Sequence, residues 1–88
     1  MDLSEKELAN LEELSLRADP GPWRAMVEGR DHMAGDSFIQ VGQADDRRED
    51  MYVTRDSGPA DAATLDLIAA AVTHLPELID EIRRLRSR

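Results

Sequence analysis

Eighty-eight residues make one domain at most, and a chain this short buries only a modest core. A formal net charge of −8 opposes non-specific attraction to phosphate backbones or anionic lipid, so nucleic acid is not an expected partner. The absence of cysteine excludes disulfides and thiolate zinc sites, which leaves self-association as the common remaining way to gain burial.

The chain opens on "LSEKEL", with Ser4 as N-cap and Glu7 three residues later, a reciprocal capping box. Leu8, Leu11, Leu14, Ser15 and Ala18 then share one side of a helix, with Leu16 off that stripe. The two prolines of "ADPGPW" stop it. Strand alternation follows over Trp23 to Glu28 and again over Ser37 to Val41, with a shorter run over Met51 to Thr54. The connectors "GRDHMAGD" and "GQADDRRED" are too polar to be buried. Pro59 in "RDSGPAD" suits a helix start, and a helix is expected from about Asp61 to Val72. Pro76 interrupts it, and Thr73 or His74 is read as the cap of a second helix with Leu75, Leu78, Ile79, Ile82 and Leu85 on its apolar face. The expected fold is a single α+β domain over 1–88, in the order α-β-β-β-α-α, with a three-stranded antiparallel meander.

No apolar run approaches the ~18 residues of a membrane span. "MDLSEKEL" has neither the basic nor the apolar segment of a secretory leader. A soluble, cytoplasmic protein without membrane contact is expected.

Trp23, Ala25, Val27, Ile39, Val41, Met51 and Val53 form the inward face of the meander, available to the helices. On the other face Met26, Phe38 and Tyr52 line up across three strands. Such a cluster marks a contact surface, unless a helix or loop of the same chain covers it. Dimerisation through this face or through the apolar stripe of the C-terminal helices is expected.

"PGPW" after the first helix, "GRDH" before "GDSFI" and the closing "LIAAAVTHLPELIDEIRRLR" resemble a diverse group of short proteins of actinobacteria, phages and prophages, with no assigned activity. The closing part is similar to the ead-like phage early-region proteins. The chain departs from that group at Leu67, where Phe is usual, and at His74, where an acid is usual. The resemblance spans nearly the whole chain and implies a mobile-genome origin and an accessory role. It transfers no catalytic residue.

The chemistry centres on "GRDHMAGDSF". His32, beside Asp31 and five residues before Ser37, is the one candidate for catalysis, and adjacent loop residues lack the frame a triad needs. The chain is therefore read as no enzyme. Asp31, His32 and Asp36 supply at most three metal ligands, and "ADDRRED" lacks EF-hand spacing, so no metal or cofactor is expected. An anion fits better. Arg30 offers a fork of donors, His32 another, and Gly29 and Gly35 let backbone amides turn inward. Ser37 and the Trp23 ring would complete a site for a nucleotide-like molecule. The opposing reading is a hairpin loop whose aspartates cap its own turns and whose Arg30 pairs with Asp36. The C-terminal Arg83, Arg84, Arg86 and Arg88 are expected to solvate the terminus or pair with the acidic first helix.

These readings favour a self-associating accessory protein that binds a host protein through Met26, Phe38 and Tyr52. The alternatives are a counter-defence sponge for a nucleotide-like anion at 29–37 and, more weakly, an acidic DNA mimic.

Overall fold

In the computed structural model, which describes residues 3–88, Ser4 opens the first helix, α1 (Glu5–Arg17). Its hydroxyl accepts the Glu7 amide at 3.0 Å, and its own amide donates to Glu7 Oε1 at 3.3 Å, the box that the sequence predicts. Leu8 is fully buried, with Leu11 and Ser15 half-buried. Leu14 departs from the expected stripe and is 59% exposed. The covered side of α1 turns instead toward Glu12, whose carboxylate accepts Arg83 Nη1 at 2.8 Å.

After the prolines, β1 (Trp23–Met26) pairs antiparallel with β2 (Phe38–Val41), placing Trp23 opposite Val41 and Met26 opposite Phe38. Alternation buries Ala25, Ile39 and Val41 on one face. The expected meander is corrected at its third strand. On the free edge of β2 lies an earlier and broken segment. There Arg48 N donates to Val41 O at 3.0 Å, and Ile39 and Met51 exchange bonds of 2.8 and 2.9 Å. Arg47 and Asp50 meet at 3.0 Å, a contact between residues that an extended strand would send to opposite faces. The backbone between them is thus curled where a ladder would need it straight. The chain then folds back as a separate hairpin, β3 (Thr54–Arg55) with β4 (Gly58–Pro59). Pro59 starts no helix. It faces Thr54 at an edge, where its missing N–H is tolerated.

Asp61 caps the next helix, its carboxylate accepting the Thr64 amide at 3.0 Å. From there α2 (Ala62–Arg86) is one helix of 25 residues that continues through Pro76, so the two expected C-terminal helices are one. A proline in a helix interior costs about 3 kcal/mol. Both flanks are anchored strongly enough to offset it. Leu65 and Ala69 pack on the sheet, and Ile79 is buried where α1 covers the C-terminal half. Thr73 and His74 are interior helical residues and cap nothing. Thr73 Oγ1 accepts the Trp23 amide at 2.9 Å and donates to the Trp23 carbonyl at 3.0 Å, clasping the edge of β1.

The core joins Ala25, Ile39, Val41, Ala60, Leu65 and Ala69, flanked by Trp23, Val27, Met51, Val53 and Ile68. All seven residues of the predicted inward face are in it. α1 runs antiparallel to the far half of α2, with Glu5 near Arg83 and Arg86. Gly42 closes the turn after β2 at φ 89°, where an added Cβ would meet Asp46 O at 2.5 Å. The molecule is elongated, 49 × 32 × 21 Å, with a radius of gyration of 15.3 Å against about 12 Å for a compact chain of this length.

Length and composition make α2 a helix that could cross a membrane, contrary to the sequence expectation, with a mean hydropathy of 1.3 over its most apolar stretch. Asp66 and Glu77 interrupt it, and its Leu65–Ala69 side belongs to the core.

Candidate functional site: a braced loop beside an aromatic row

The β1–β2 loop is held from within. Asp31 Oδ2 accepts the Val27 amide at 2.8 Å, and Ser37 Oγ accepts the Glu28 amide at 2.9 Å. Gly29 N donates to His32 O at 2.7 Å. Each of these satisfies a backbone donor that a long polar connector would otherwise leave to water. His32 Nδ1 lies 2.8 Å from Ala34 O, and Nε2 lies 3.2 Å from Met26 O. Both partners are carbonyl acceptors. A neutral ring can donate to one of them and a protonated ring to both.

Arg30 is the most heavily engaged side chain. Its Nη1 and Nη2 bind the two oxygens of Asp66 on α2, each at 3.0 Å, while Nε donates to Asp31 at 3.0 Å. The Asp66 bonds, followed by those of Asp31, raise the Arg30 pKa further above its ordinary value. Asp31 is held below the ordinary aspartate range first by the Val27 amide and then by Arg30. Asp66 is lowered by Arg30. An incoming anion would have to displace two carboxylates from the guanidinium. The predicted Arg30–Asp36 pair does not form. Asp36 is exposed, with no side-chain hydrogen bond among the described residues.

The fold brings together Arg30, Asp31, His32 and Ser37 but not Trp23. That ring sits at the far end of β1, roughly 10 Å of strand away. Its Nε1 donates to Asp19 O at 3.1 Å. No three acidic, histidine or cysteine side chains gather to hold a metal among the described residues. A separate groove of about 390 Å³ lies between the end of α1 and the middle of α2, lined by Leu16, Pro20, Val72 and Pro76 among others. It includes none of the predicted site residues.

The outer sheet face is more coherent. Met26 and Phe38 are cross-strand partners, and the Phe38 ring lies 5.5 Å from Tyr52. His32 extends the row from the loop, 5.4 Å from Phe38. These spacings are those of favourable aromatic pairs. Neither helix covers this face, since α2 packs on the opposite side and α1 packs on α2. The loop covers part of it through His32, while Tyr52 stays 56% exposed. Met33, 85% exposed, lies on the same loop.

Sequence reading missed three contributors: Asp66, Met33 and Thr73. Asp66 is an unremarked acid between two leucines of a helix, with nothing local to tie it to a residue 36 positions earlier. Comparison with family models, curated proteins and solved structures gives no match.

Proposed function

We propose that this chain is a non-enzymatic, self-associating accessory protein of the phage or mobile-element type. Its outer sheet face binds a host protein, and its place of action is the cytoplasm. The observation that carries the reading is the continuous row His32–Phe38–Tyr52, at 5.4 and 5.5 Å, next to Met26 on a face no helix covers. Aromatic and methionine side chains supply large, adaptable contact area, and residues of this kind are enriched at the centre of protein interfaces. The loop beside them is braced by Asp31, Ser37 and His32 hydrogen bonds to backbone groups, which stiffen the edge of the face.

A photoreactive phenylalanine analogue placed at Tyr52 tests the reading in host extract. The expected result is one reproducible crosslinked polypeptide, lost when Phe38→Ser is added and absent when the analogue replaces Arg55 instead. A diffuse pattern that Phe38→Ser leaves unchanged counts against it.

A further inference from the structure

We infer that the groove between the end of α1 and the middle of α2 is a binding site for a small organic cation, a primary ammonium carried on an apolar body. Its walls are acceptors and hydrocarbon, with no lysine, arginine or histidine among the described residues that line them. Two of those residues are prolines, and each stands four positions after another lining residue, Pro20 after Leu16 and Pro76 after Val72. In a helix the amide four positions on is the donor for a carbonyl. Proline has no such amide, so on both walls a carbonyl lacks its ordinary donor. α1 has ended by Arg17, and no backbone amide beyond it reaches the Leu16 carbonyl. α2 continues through Pro76, which leaves the carbonyl of half-buried Val72 without the donor that a regular helix supplies.

Charge selects the ligand. The C-terminal end of α1 is the negative pole of its dipole, and Asp19 adds a full negative charge just beyond it. Little in the chain offsets this. Arg17 turns back to Glu13 at 3.7 Å. Arg48 meets Asp19 Oδ1 only at 3.5 Å, longer than the usual hydrogen-bond range, and divides itself with Asp46 at the same distance. Asp19 Oδ2 has no hydrogen bond among the described residues. An ammonium has three donors and no acceptor, which matches a wall of carbonyls and one carboxylate. Leu16, off the packing stripe of α1 and 79% exposed, supplies an apolar wall with Val72 and the proline rings. A volume of about 390 Å³ is on the scale of small-ligand sites. A peptide is the poorer occupant, because Thr73 already takes both the amide and the carbonyl of Trp23 at the adjoining edge of β1. The site shares no residue with the aromatic face and is independent of the function proposed above.

The probe is phenethylammonium chloride, titrated into the full chain and followed by amide shifts. Saturable binding with a dissociation constant of ~1 mM or tighter is expected, with shifts concentrated at Ser15, Leu16, Asp19, Val72 and Thr73. Phenethyl alcohol, which keeps the ring and loses the charge, should bind about tenfold more weakly, and hydrocinnamate should not bind. Asp19 and Arg48 are both about half exposed, so variants there leave the core intact. Asp19→Asn should weaken the ammonium about fivefold, and Arg48→Gln, which frees the Asp19 carboxylate, should tighten it. Pro76→Val keeps apolar bulk, returns a donor to the Val72 carbonyl and should weaken binding about threefold with unchanged far-ultraviolet circular dichroism. Equal affinity for the ammonium and the alcohol would show an unselective apolar groove and overturns the assignment. Failure to saturate at tens of millimolar, or binding that Asp19→Asn leaves unchanged, overturns it as well. A lysine peptide, acetyl-Leu-Lys-Leu-amide, that binds this groove where phenethylammonium fails would make a protein side chain the occupant and defeats the small-molecule assignment.

Discussion

The two ends of α2 are closed in different ways. Toward its N-terminus, Leu65 and Ala69 enter a core with Ala25, Ile39, Val41 and Ala60, and this end depends on apolar burial. Toward its C-terminus, full burial is confined to Leu8 and Ile79, while Arg83 and Arg86 reach Glu5 and Glu12 across the surface. Apolar burial is insensitive to salt and lost all at once, whereas partly exposed ion pairs are screened and lost by degrees. One helix therefore joins a cooperative unit to a separately adjustable one.

The largest expected effect contrasts two buried leucines. Leu65→Ala should destabilise the whole chain by about 2–5 kcal/mol, read as a lower urea midpoint that is the same by every probe. Leu8→Ala removes as many carbons but should free α1 first, so that amide exchange quickens in α1 while β1 and β2 keep their protection. Equal loss of protection in both regions would show that the ends are a single unit. A smaller effect comes from salt. The Arg83 and Arg86 contacts are each worth roughly 0.2–1 kcal/mol, and 1 M NaCl should remove most of that from α1 amides alone. Salt-indifferent exchange in α1 would assign its docking to Leu8 and Ile79 only.

The smallest effect is confined to the loop. Folded Asp31 and Asp66 hold protons more weakly than an ordinary aspartate at 3.8, so the unfolded chain binds more protons in that range. Their stabilising contribution is thus present above that value and lost as pH falls through the lower folded values. Amide shifts of Val27 to His32 should move on acidification below pH ~4 while the core amides hold, and Arg30→Ala should weaken that response. A loop unmoved at pH ~2 would mean that the backbone bonds alone secure it.

Local chemistry was readable from the sequence where the signal is itself local. The Ser4–Glu7 box needs residues three apart, and the inward sheet face needs only period two. What escaped reading depends on distant partners. The helix passes Pro76 because the sheet and α1 hold its two halves, and no property of "THLPEL" contains that information. The third strand is shifted and broken, its pairing with β2 reaching back to Arg48 in a run whose charges predict only a solvated turn. In the loop, residue types singled out Arg30 but named Asp36 as its partner. Its true partner lay on a helix that sequence reasoning had assigned wholly to packing.

Gly42 has a consequence for how this fold would vary among diverged sequences. Gly29 and Gly35 share its backbone sign but open onto space, so asparagine or aspartate could replace either at moderate strain. At position 42 the backbone angle and the carbonyl 2.5 Å from any added carbon act together, and the obstruction is main chain that cannot rotate aside. A substitution there must be accompanied by a change in the length or path of the 43–48 turn. Glycine at this position, set one residue after an "FIQV"-like strand, is therefore a sharper marker of shared architecture than the polar loop before that strand.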